Sequence, residues 1–263
     1  AGVEGGSPEA RRRARDFLGT EKSTARSRLA LPDFDLLLIA VPDREVAAVA
    51  RSWRERCAWK GRVALHTSGV LGASALAPLR RRGASVAALH PLLSLARPDP
   101  GRTAFRGVCF GIEGDPGAAR MARRLARQAG GRTLEIPARG KALYHLSACL
   151  SSGYLLGLID AAASRVPVRP ADRVTLRNAL LKLSESTLRN ARERGLERAL
   201  TGPIHRGDAT TNRTHLRALR GSPAGWRSLP RILARNVLGL TLRSGRIKPD
   251  VARRIRALLR GPR

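Results

Sequence analysis

The chain has 263 residues, of which 43% are apolar and 3% aromatic, and it carries 50 Lys and Arg against 20 Asp and Glu, a formal net charge of +30. This length allows one large domain or two small ones, with a core that needs no disulfide or metal to hold it. Three cysteines without paired or zinc-like spacing, no apolar run near the roughly 20 residues of a bilayer span, and no signal-peptide pattern predict a cytoplasmic protein without membrane contact.

The basic charge raises the question of nucleic-acid binding, because arginines neutralise phosphates and release counterions. The arginines, however, are spread along every predicted helix, aromatic residues for base stacking are scarce, and no helix-turn-helix or zinc-finger pattern is present. We therefore expect non-specific binding of polyanions at low salt. A basic nucleic-acid-associated protein stays open as an alternative.

The first half of the chain alternates strand-like and helix-like segments. The run 36–41 is continuously apolar, which is typical of a parallel strand buried on both faces, and Asp43 is the expected N-cap of the helix that follows. This alternation predicts a doubly wound, Rossmann-like α/β sheet. The predicted strands are 36–41, 63–65, 85–89, 108–112 and 133–136, and the helices between them are 44–56, 73–82 and 117–128.

From residue 139 onward the pattern is helical, with apolar residues at helical spacing and no convincing strand. The sequence therefore predicts two domains, an α/β domain over residues 1–137 and an all-α domain over 138–263. The predicted helices of the second domain are 141–163, 171–194, 211–220, 227–243 and 249–259.

The N-terminal segment departs from a complete dinucleotide-binding domain. Such a domain opens with a strand, a glycine-rich turn and a helix whose N-terminus receives the pyrophosphate. This sequence contains no G-x-G-x-x-G, and Gly2, Gly5 and Gly6 do not follow a strand at the required spacing. We therefore expect the first strand, the glycine-rich turn and the first helix to be missing, as in a truncated form.

Two histidines follow predicted strands directly. His66 precedes Thr67-Ser68-Gly69 and His90 precedes Pro91, and the carboxyl ends of parallel strands are where open α/β sheets bind ligands. Because both loops are expected on the same edge, the pair favours a cleft. The alternative for each histidine is a buried ring that holds its loop through a hydrogen bond.

Two further segments concentrate polar chemistry. Lys141, Tyr144 and His145 are spaced i, i+3 and i+4, so they share a helix face and can supply a charge and a proton donor to a substrate carbonyl. The alternative is a solvated helix end. The loop 200–208 is fixed by glycine and proline, and Asp208 is alternatively a helix cap paired with Arg206. Because the histidines lack acidic neighbours at ligand spacing, no metal is predicted.

Together these segments resemble one family. The stretches 38–43, 66–69, 90–92, 141–145 and 200–208 are similar to those of Rossmann-like proteins with a C-terminal domain of unknown function 2520, relatives of 6-phosphogluconate dehydrogenase and ketopantoate reductase. The resemblance implies an NAD(P)-binding domain and a helical domain that forms a homodimer. It implies an oxidoreductase acting on a small carbonyl or imine, with inactivity of a truncated form and a non-catalytic regulatory protein as alternatives.

The resemblance also assigns residues. Lys141 and His145 would polarise or protonate the substrate oxygen, with His205 as a further catalytic candidate. Gly153 stands where the family has Asn, which removes a side-chain contact with the substrate. The choice between NAD and NADP stays open, with Arg11 and Arg12 as candidates for a 2′-phosphate. The implied cofactor-binding residues are Ala40, Val41, Pro42, Asp43, Thr67, Ser68 and Gly69, and the implied substrate-binding residues are His90, Tyr144, Thr201, Arg206 and Asp208.

Overall fold

The structure is a computed structural model that describes residues 3–4, 7–9, 12, 23–24, 34–96, 101 and 103–260. Chain contacts divide it into two compact units, Ala1–Tyr154 and Leu155–Arg263. The domain boundary predicted after residue 137 stays a prediction. Among the residues discussed above, Gly2, Gly5, Gly6 and Arg11 lie outside the described residues.

The first unit is built on a five-stranded sheet of order β3-β4-β5-β6-β7. Strands β3, β4 and β5 are parallel, β6 is antiparallel to β5, and β7 is parallel to β6. The predicted α/β class with a mainly parallel sheet is therefore confirmed. The strands are β1 (Val3–Glu4), β2 (Ser23–Thr24), β3 (Leu36–Ile39), β4 (Val63–His66), β5 (Ser85–Pro91), β6 (Cys109–Gly114) and β7 (Arg132–Glu135), of which β1 and β2 form a separate parallel pair.

Helices follow the strands of the sheet and then occupy the rest of the chain, as predicted. The helices of the first part are α1 (Asp43–Trp53), α2 (Ala77–Arg80), α3 (Pro116–Gln128) and α4 (Lys141–Leu150). Those of the remainder are α5 (Gly153–Arg165), α6 (Arg173–Arg194), α7 (Leu196–Ala199), α8 (Ala209–Ala218), α9 (Ala224–Arg243) and α10 (Pro249–Arg260). The short α7 falls in a segment that the sequence predicted as a loop.

Two predicted helices are interrupted. The helix predicted over 73–82 is a 3₁₀ turn, Ala73–Leu76, followed by α2, because Pro78 has no N–H with which to continue a regular helix. The helix predicted over 141–163 divides into α4 and α5. There the hydroxyls of Ser151 and Ser152 bond back to the carbonyls of Ser147 and Ala148, a pattern that bends helices.

Helices cover both faces of the sheet. Alternate residues of a strand point to opposite faces. Ala64 and Val86 lie in a buried cluster with residues of α1 and α2, whereas Leu65 and Ala87 lie in a second buried cluster with alanines of α3. This two-sided burial leaves the strand ends and their loops as the accessible part of the sheet.

Two details of β3 correct the sequence prediction. Leu38 is 49% exposed, because β3 pairs only with β4 in the described sheet and is not buried on both faces. The N-cap of α1 is Pro42, and Asp43 is the first helical residue, without a side-chain capping bond to the residues described. The Asp43 carboxylate is therefore left at the helix N-terminus, where the helix dipole favours negative charge.

The second unit has a small core of its own. Leu238, Ala252, Ile255 and Leu259 are buried together where α9 packs on α10. Arg231 and Arg235 of α9 donate hydrogen bonds to the carbonyls of Leu258 and Leu259, which satisfies the C-terminal end of α10.

One helical segment of the chain is notably apolar. Ala138–Arg165 is long and apolar enough to cross a membrane by length and composition alone. The sequence prediction concerned uninterrupted apolar runs, and those within this segment stay well short of about 20 residues. Uncharged Tyr, His and Ser residues interrupt the apolar run without lowering its mean hydropathy below that of a span.

Because the side chain of Leu76 is fully buried in the core under α2, we expect its truncation to lower the stability of the protein strongly. We expect Leu76→Ala to lower the free energy of unfolding by about 2–5 kcal/mol through lost burial and a cavity. The matched variant Leu95→Ala, at a leucine that is 50% exposed, should change it by less than about 0.5 kcal/mol. Urea unfolding measures both, and equal midpoints would contradict this core.

Candidate functional site

The predicted cofactor-binding residues lie at the carboxyl edge of the sheet. The register aligns Ile39 with His66, and His66 with Ala88, so the segments that follow β3 and β4 leave the sheet side by side, and β5 continues past them. After β3, Ala40, Pro42 and Asp43 are exposed and Val41 is half-buried; after β4, Thr67 is half-buried, whereas Ser68 and Gly69 are buried. Their location at this edge agrees with the sequence, and their role toward a cofactor stays a prediction.

His66 holds the loop that follows it. The ring is fully buried, its Nδ1 accepts the Ser68 N–H at 3.2 Å, and its Nε2 lies 3.0 Å from the Gly72 carbonyl oxygen. Since Nδ1 accepts, the proton resides on Nε2 and is donated to Gly72. Burial lowers the pKa of His66, which keeps the ring neutral. The loop-holding alternative is therefore what the structure shows for His66.

The same loop is fixed at two further points. Ser68 Oγ accepts the Leu71 N–H at 3.0 Å, and Glu113 of β6 accepts the Ala73 N–H at 2.5 Å. These bonds satisfy main-chain donors that turn away from the sheet. Gly69 is thereby held in a defined place.

Gly69 packs directly against two imidazoles. A Cβ at this position would lie 2.8 Å from His90 Nε2 and closer still to His145 Cδ2, so a larger residue would displace the rings. The ring centroids of His90 and His145 are 6.0 Å apart. The end of β5, the loop after β4 and helix α4 thus meet at Gly69, which has no side chain.

Tyr144 contacts both His90 and Gly111 of β6. Its hydroxyl lies 3.0 Å from His90 Nδ1, and a Cβ on Gly111 of β6 would overlap its ring. Burial, with the nearby charges of Lys141 and His145, lowers the pKa of His90 to about 4, and burial raises the pKa of Tyr144 to about 12. At neutral pH the imidazole of His90 is therefore uncharged and the phenol keeps its proton.

Lys141 supplies the amine of the site. Its side chain is 3% exposed, and its Nζ is buried with no hydrogen-bond partner among the described residues. Nζ lies 5.5 Å from the centroid of the Tyr144 ring. Burial lowers the pKa of Lys141, and the carboxylates of Glu113 and Asp43 oppose that shift. A buried amine without an acceptor is rare in folded proteins and marks a position that a ligand atom can satisfy.

The structure places Lys141, Tyr144 and His145 on one face of α4, as the helical spacing predicted, and brings His90 against this face beside Gly69. It also shows three groups that the sequence analysis missed: the Glu113 carboxylate, Gly111 under Tyr144, and the Cys149 thiol 3.9 Å from His145. A carboxyl in the otherwise apolar strand β6 was the available signal for Glu113. The two other contacts depend on tertiary packing.

The loop 200–208 lies in the second unit. Asp208 caps α8: its Oδ1 accepts the Thr211 N–H at 2.9 Å and its Oδ2 accepts the Thr211 hydroxyl at 2.5 Å. These bonds lower the pKa of Asp208. Thr201 and Arg206 are exposed, and His205 Nδ1 is buried without a hydrogen-bond partner in the described part of the chain. The catalytic and substrate-binding roles assigned to this loop stay predictions.

Metal ligands do not cluster in the described ranges, where no group of three or more His, Cys, Asp or Glu side chains could hold a metal ion. The side chains gathered at the sheet edge instead offer one amine, two imidazoles and a phenol. This set suits hydrogen bonding and proton transfer to a small organic molecule.

Two family models match the chain. Residues 2–91 match the Rossmann-like domain, and residues 108–236 match the domain of unknown function DUF2520. The chain carries a Rossmann-like domain followed by a DUF2520 domain. Lys141, Tyr144 and His145 fall within the DUF2520 match, whereas Gly69 and His90 fall within the Rossmann-like match. The site therefore draws its side chains from both. No curated protein matches this chain.

Solved structures share this fold. A protein from Thermotoga maritima is 21% identical with a TM-score of 0.71, over 92% of this chain and 91% of that one. A proposed NADP oxidoreductase from Bacteroides fragilis is 20% identical with a TM-score of 0.65, over 90% and 87%. A 1-pyrroline-5-carboxylate reductase from Streptococcus pyogenes is 12% identical with a TM-score of 0.56, over 93% and 89%. At these identities the likeness establishes the fold alone.

The close contact at Gly69 predicts that Gly69→Ala will expose the imidazoles. The added methyl group should push His90 out of its buried position, so the pKa of His90 should rise from about 4 toward 6.5, as followed by NMR of the ring protons. Gly225→Ala, where a Cβ meets nothing within 4 Å, is the matched control. A titration of His90 that is unchanged in Gly69→Ala would refute the contact.

The same shift sets a pH dependence of stability. Because the pKa of His90 in the folded state lies below the ordinary 6.5, the unfolded chain binds more protons between these values. The contribution of His90 to stability is therefore complete above pH 6.5 and is lost as the pH falls toward 4. Gly69→Ala should weaken this acid sensitivity.

Proposed function

We propose that the protein is an NAD(P)-dependent oxidoreductase that acts on a small carbonyl or imine at the carboxyl edge of the sheet. The observation that carries the proposal is the buried Nζ of Lys141, which lacks a partner among the described residues and lies beside the neutral imidazole of His90 and the phenol of Tyr144. A substrate oxygen or nitrogen would satisfy that amine.

The edge residues fit the nicotinamide end of such a cofactor. The segment 40–43 and the loop 67–69 would hold it, as in open α/β sheets that bind ligands beyond their strand ends. When bound, the nicotinamide exchanges a hydride with the substrate. The proposed NADP oxidoreductase and the 1-pyrroline-5-carboxylate reductase of similar fold support this class of cofactor and reaction.

The side chains of the site would manage the substrate and its proton. Lys141 Nζ donates a hydrogen bond to the substrate oxygen or nitrogen and polarises the double bond. His145, on the same face of α4, would deliver or remove the proton, since an imidazole can both donate and accept one. His90 and Tyr144 hold each other at 3.0 Å and line the site without adding charge.

We further propose a cytoplasmic homodimer that forms through the helical part of the chain. Leu143, Leu146 and Leu150 form one stripe along α4 and are 69%, 43% and 56% exposed. Leu183 and Leu188 of α6 are 62% and 57% exposed. Apolar side chains exposed at helical spacing favour burial against another surface, and a second copy presents the same stripe.

Titration with NADH and NADPH, followed by nicotinamide fluorescence, tests the proposed function. Measurement at physiological salt suppresses non-specific binding of these anions to a chain of net charge +30. Lys141→Met should bind cofactor like the unaltered protein but reduce 1-pyrroline or small ketones at least about 100-fold more slowly. The control Lys182→Met, at an exposed ion pair, should leave both cofactor binding and the rate of reduction unchanged.

Unchanged turnover in Lys141→Met would remove Lys141 from the reaction. The absence of saturable cofactor binding would refute the oxidoreductase as a whole. Tight binding without turnover of any carbonyl or imine would instead support the non-catalytic alternative.

Light scattering of the purified chain tests the dimer. We expect a mass of two copies for the unaltered protein and of one copy for Leu150→Glu, because a buried carboxylate in an apolar interface is costly. Leu95→Glu, at an exposed loop leucine of the first unit, should leave the dimer intact. A monomeric unaltered protein would contradict the interface.

A further inference from the structure

The amine of Lys141 can act as a nucleophile as well as a hydrogen-bond donor. A lysine amine is a nucleophile only when it is unprotonated, and burial is one way in which proteins keep it so. The side chain of Lys141 is 3% exposed, and Nζ has no acceptor among the described residues that would hold its proton. Burial also lowers the pKa of Lys141, which raises the fraction of free amine at neutral pH.

Charged and titratable groups reach Lys141 from four neighbouring elements and from its own helix. Glu113 comes from β6 and Asp43 from α1, and their carboxylates are the groups that favour a positive charge at Nζ. His66 and His90 come from β4 and β5 and are neutral at pH 7. Tyr144 and His145 lie on α4 itself, the first with its ring 5.5 Å from Nζ.

We propose that Lys141 captures small uncharged aldehydes and ketones as a reversible imine on Nζ. The nitrogen lone pair attacks the carbonyl carbon and forms the C–N bond, and a proton passes from nitrogen to oxygen to give a carbinolamine. The hydroxyl then takes up a proton and leaves as water, which produces a protonated C=N bond. Addition of water reverses each step, so no oxidant or reductant is needed.

The surroundings of Nζ support each step. His145 and the pair of His90 and Tyr144 are the groups beside Lys141 that can move a proton between nitrogen and oxygen. The protonated imine carries one positive charge, like the ammonium it replaces. The same two carboxylates and the face of the Tyr144 ring therefore stabilise it.

The charge of the site also selects the ligand. Glu113 and Asp43 act on Lys141 as negative charges, and a neutral amine leaves them uncompensated. An oxo acid would bring a third carboxylate into this space, whereas an aldehyde or simple ketone brings none. The imine chemistry requires no cofactor, so it stands or fails independently of the proposed oxidoreductase function.

Reductive trapping of the full-length protein tests this inference. Propanal and cyanoborohydride at pH 7 convert an imine into a propyl amine, and peptide mass spectrometry locates it. We expect Lys141 to be propylated at least about tenfold faster than the exposed Lys60, Lys182 and Lys248, because an ordinary exposed amine is almost wholly protonated at this pH. The rate at Lys141 should also persist to lower pH than the rates at these three lysines.

Two controls make the outcome decisive. Lys141→Arg keeps the charge but forms no imine, so its labelling should be confined to the exposed lysines at unchanged rates. With glyoxylate in place of propanal, the ratio of labelling at Lys141 to that at Lys182 should fall severalfold. Labelling of Lys141 no faster than that of Lys182 would overturn the proposal, and so would no labelling because the amine is inaccessible. A higher ratio with glyoxylate would overturn the selection for uncharged carbonyls.

Discussion

The site depends on one energetically expensive placement, the burial of an amine at the edge of a parallel sheet. Transferring an ammonium from water into the protein interior costs several kcal/mol in general, and it is tolerated when nearby charges or dipoles offset part of the cost. Glu113 and Asp43 provide that offset for Lys141 from separate elements, and the face of the Tyr144 ring adds to it. The remaining deficit is a hydrogen-bond acceptor for Nζ, which none of the described residues supplies. A deficit of this kind persists in a fold where it serves binding or reaction, and here it points to a ligand atom.

Two glycines make the placement geometrically possible. At Gly69 and Gly111 the main chain lies so close to the rings of α4 and β5 that a Cβ would overlap them. Helix α4 can therefore approach both a loop and a strand, which brings its Lys141, Tyr144 and His145 face onto His90. The side chains of His66 and Glu113 make hydrogen bonds to main-chain groups of the loop that contains Gly69. These bonds fix the position of Gly69. The fixed main chain at Gly69 and Gly111, and the lack of a side chain at both positions, thus define the space in which the polar groups meet.

The sequence predicts what depends on local periodicity. The alternation of apolar runs gave the sheet and its helices, and the i, i+3, i+4 spacing gave the shared face of α4, both of which the structure confirms. Contacts between residues far apart in sequence were beyond it: nothing near Glu113 indicates that its carboxylate reaches the N–H of Ala73. His66 shows the same limit, because a histidine after a strand is equally consistent with a cleft and with a buried loop contact. Only the two hydrogen bonds of its ring decide between them.

The basic side chains of the protein differ in whether they can lose a proton. Of the 50 basic residues only five are lysines, and the rest are arginines, which stay charged under all ordinary conditions. An arginine in place of Lys141 would bring a permanent charge and a larger planar group into a space closed by Gly69, Gly111 and two rings. A lysine can be buried as a free amine or as an ammonium, and the neutral state of His90 and His66 leaves that choice to the carboxylates of Glu113 and Asp43. Lysine, unlike the arginines that dominate the basic residues of this chain, can lose its proton when it is buried, and this property bears on the chemistry at Lys141.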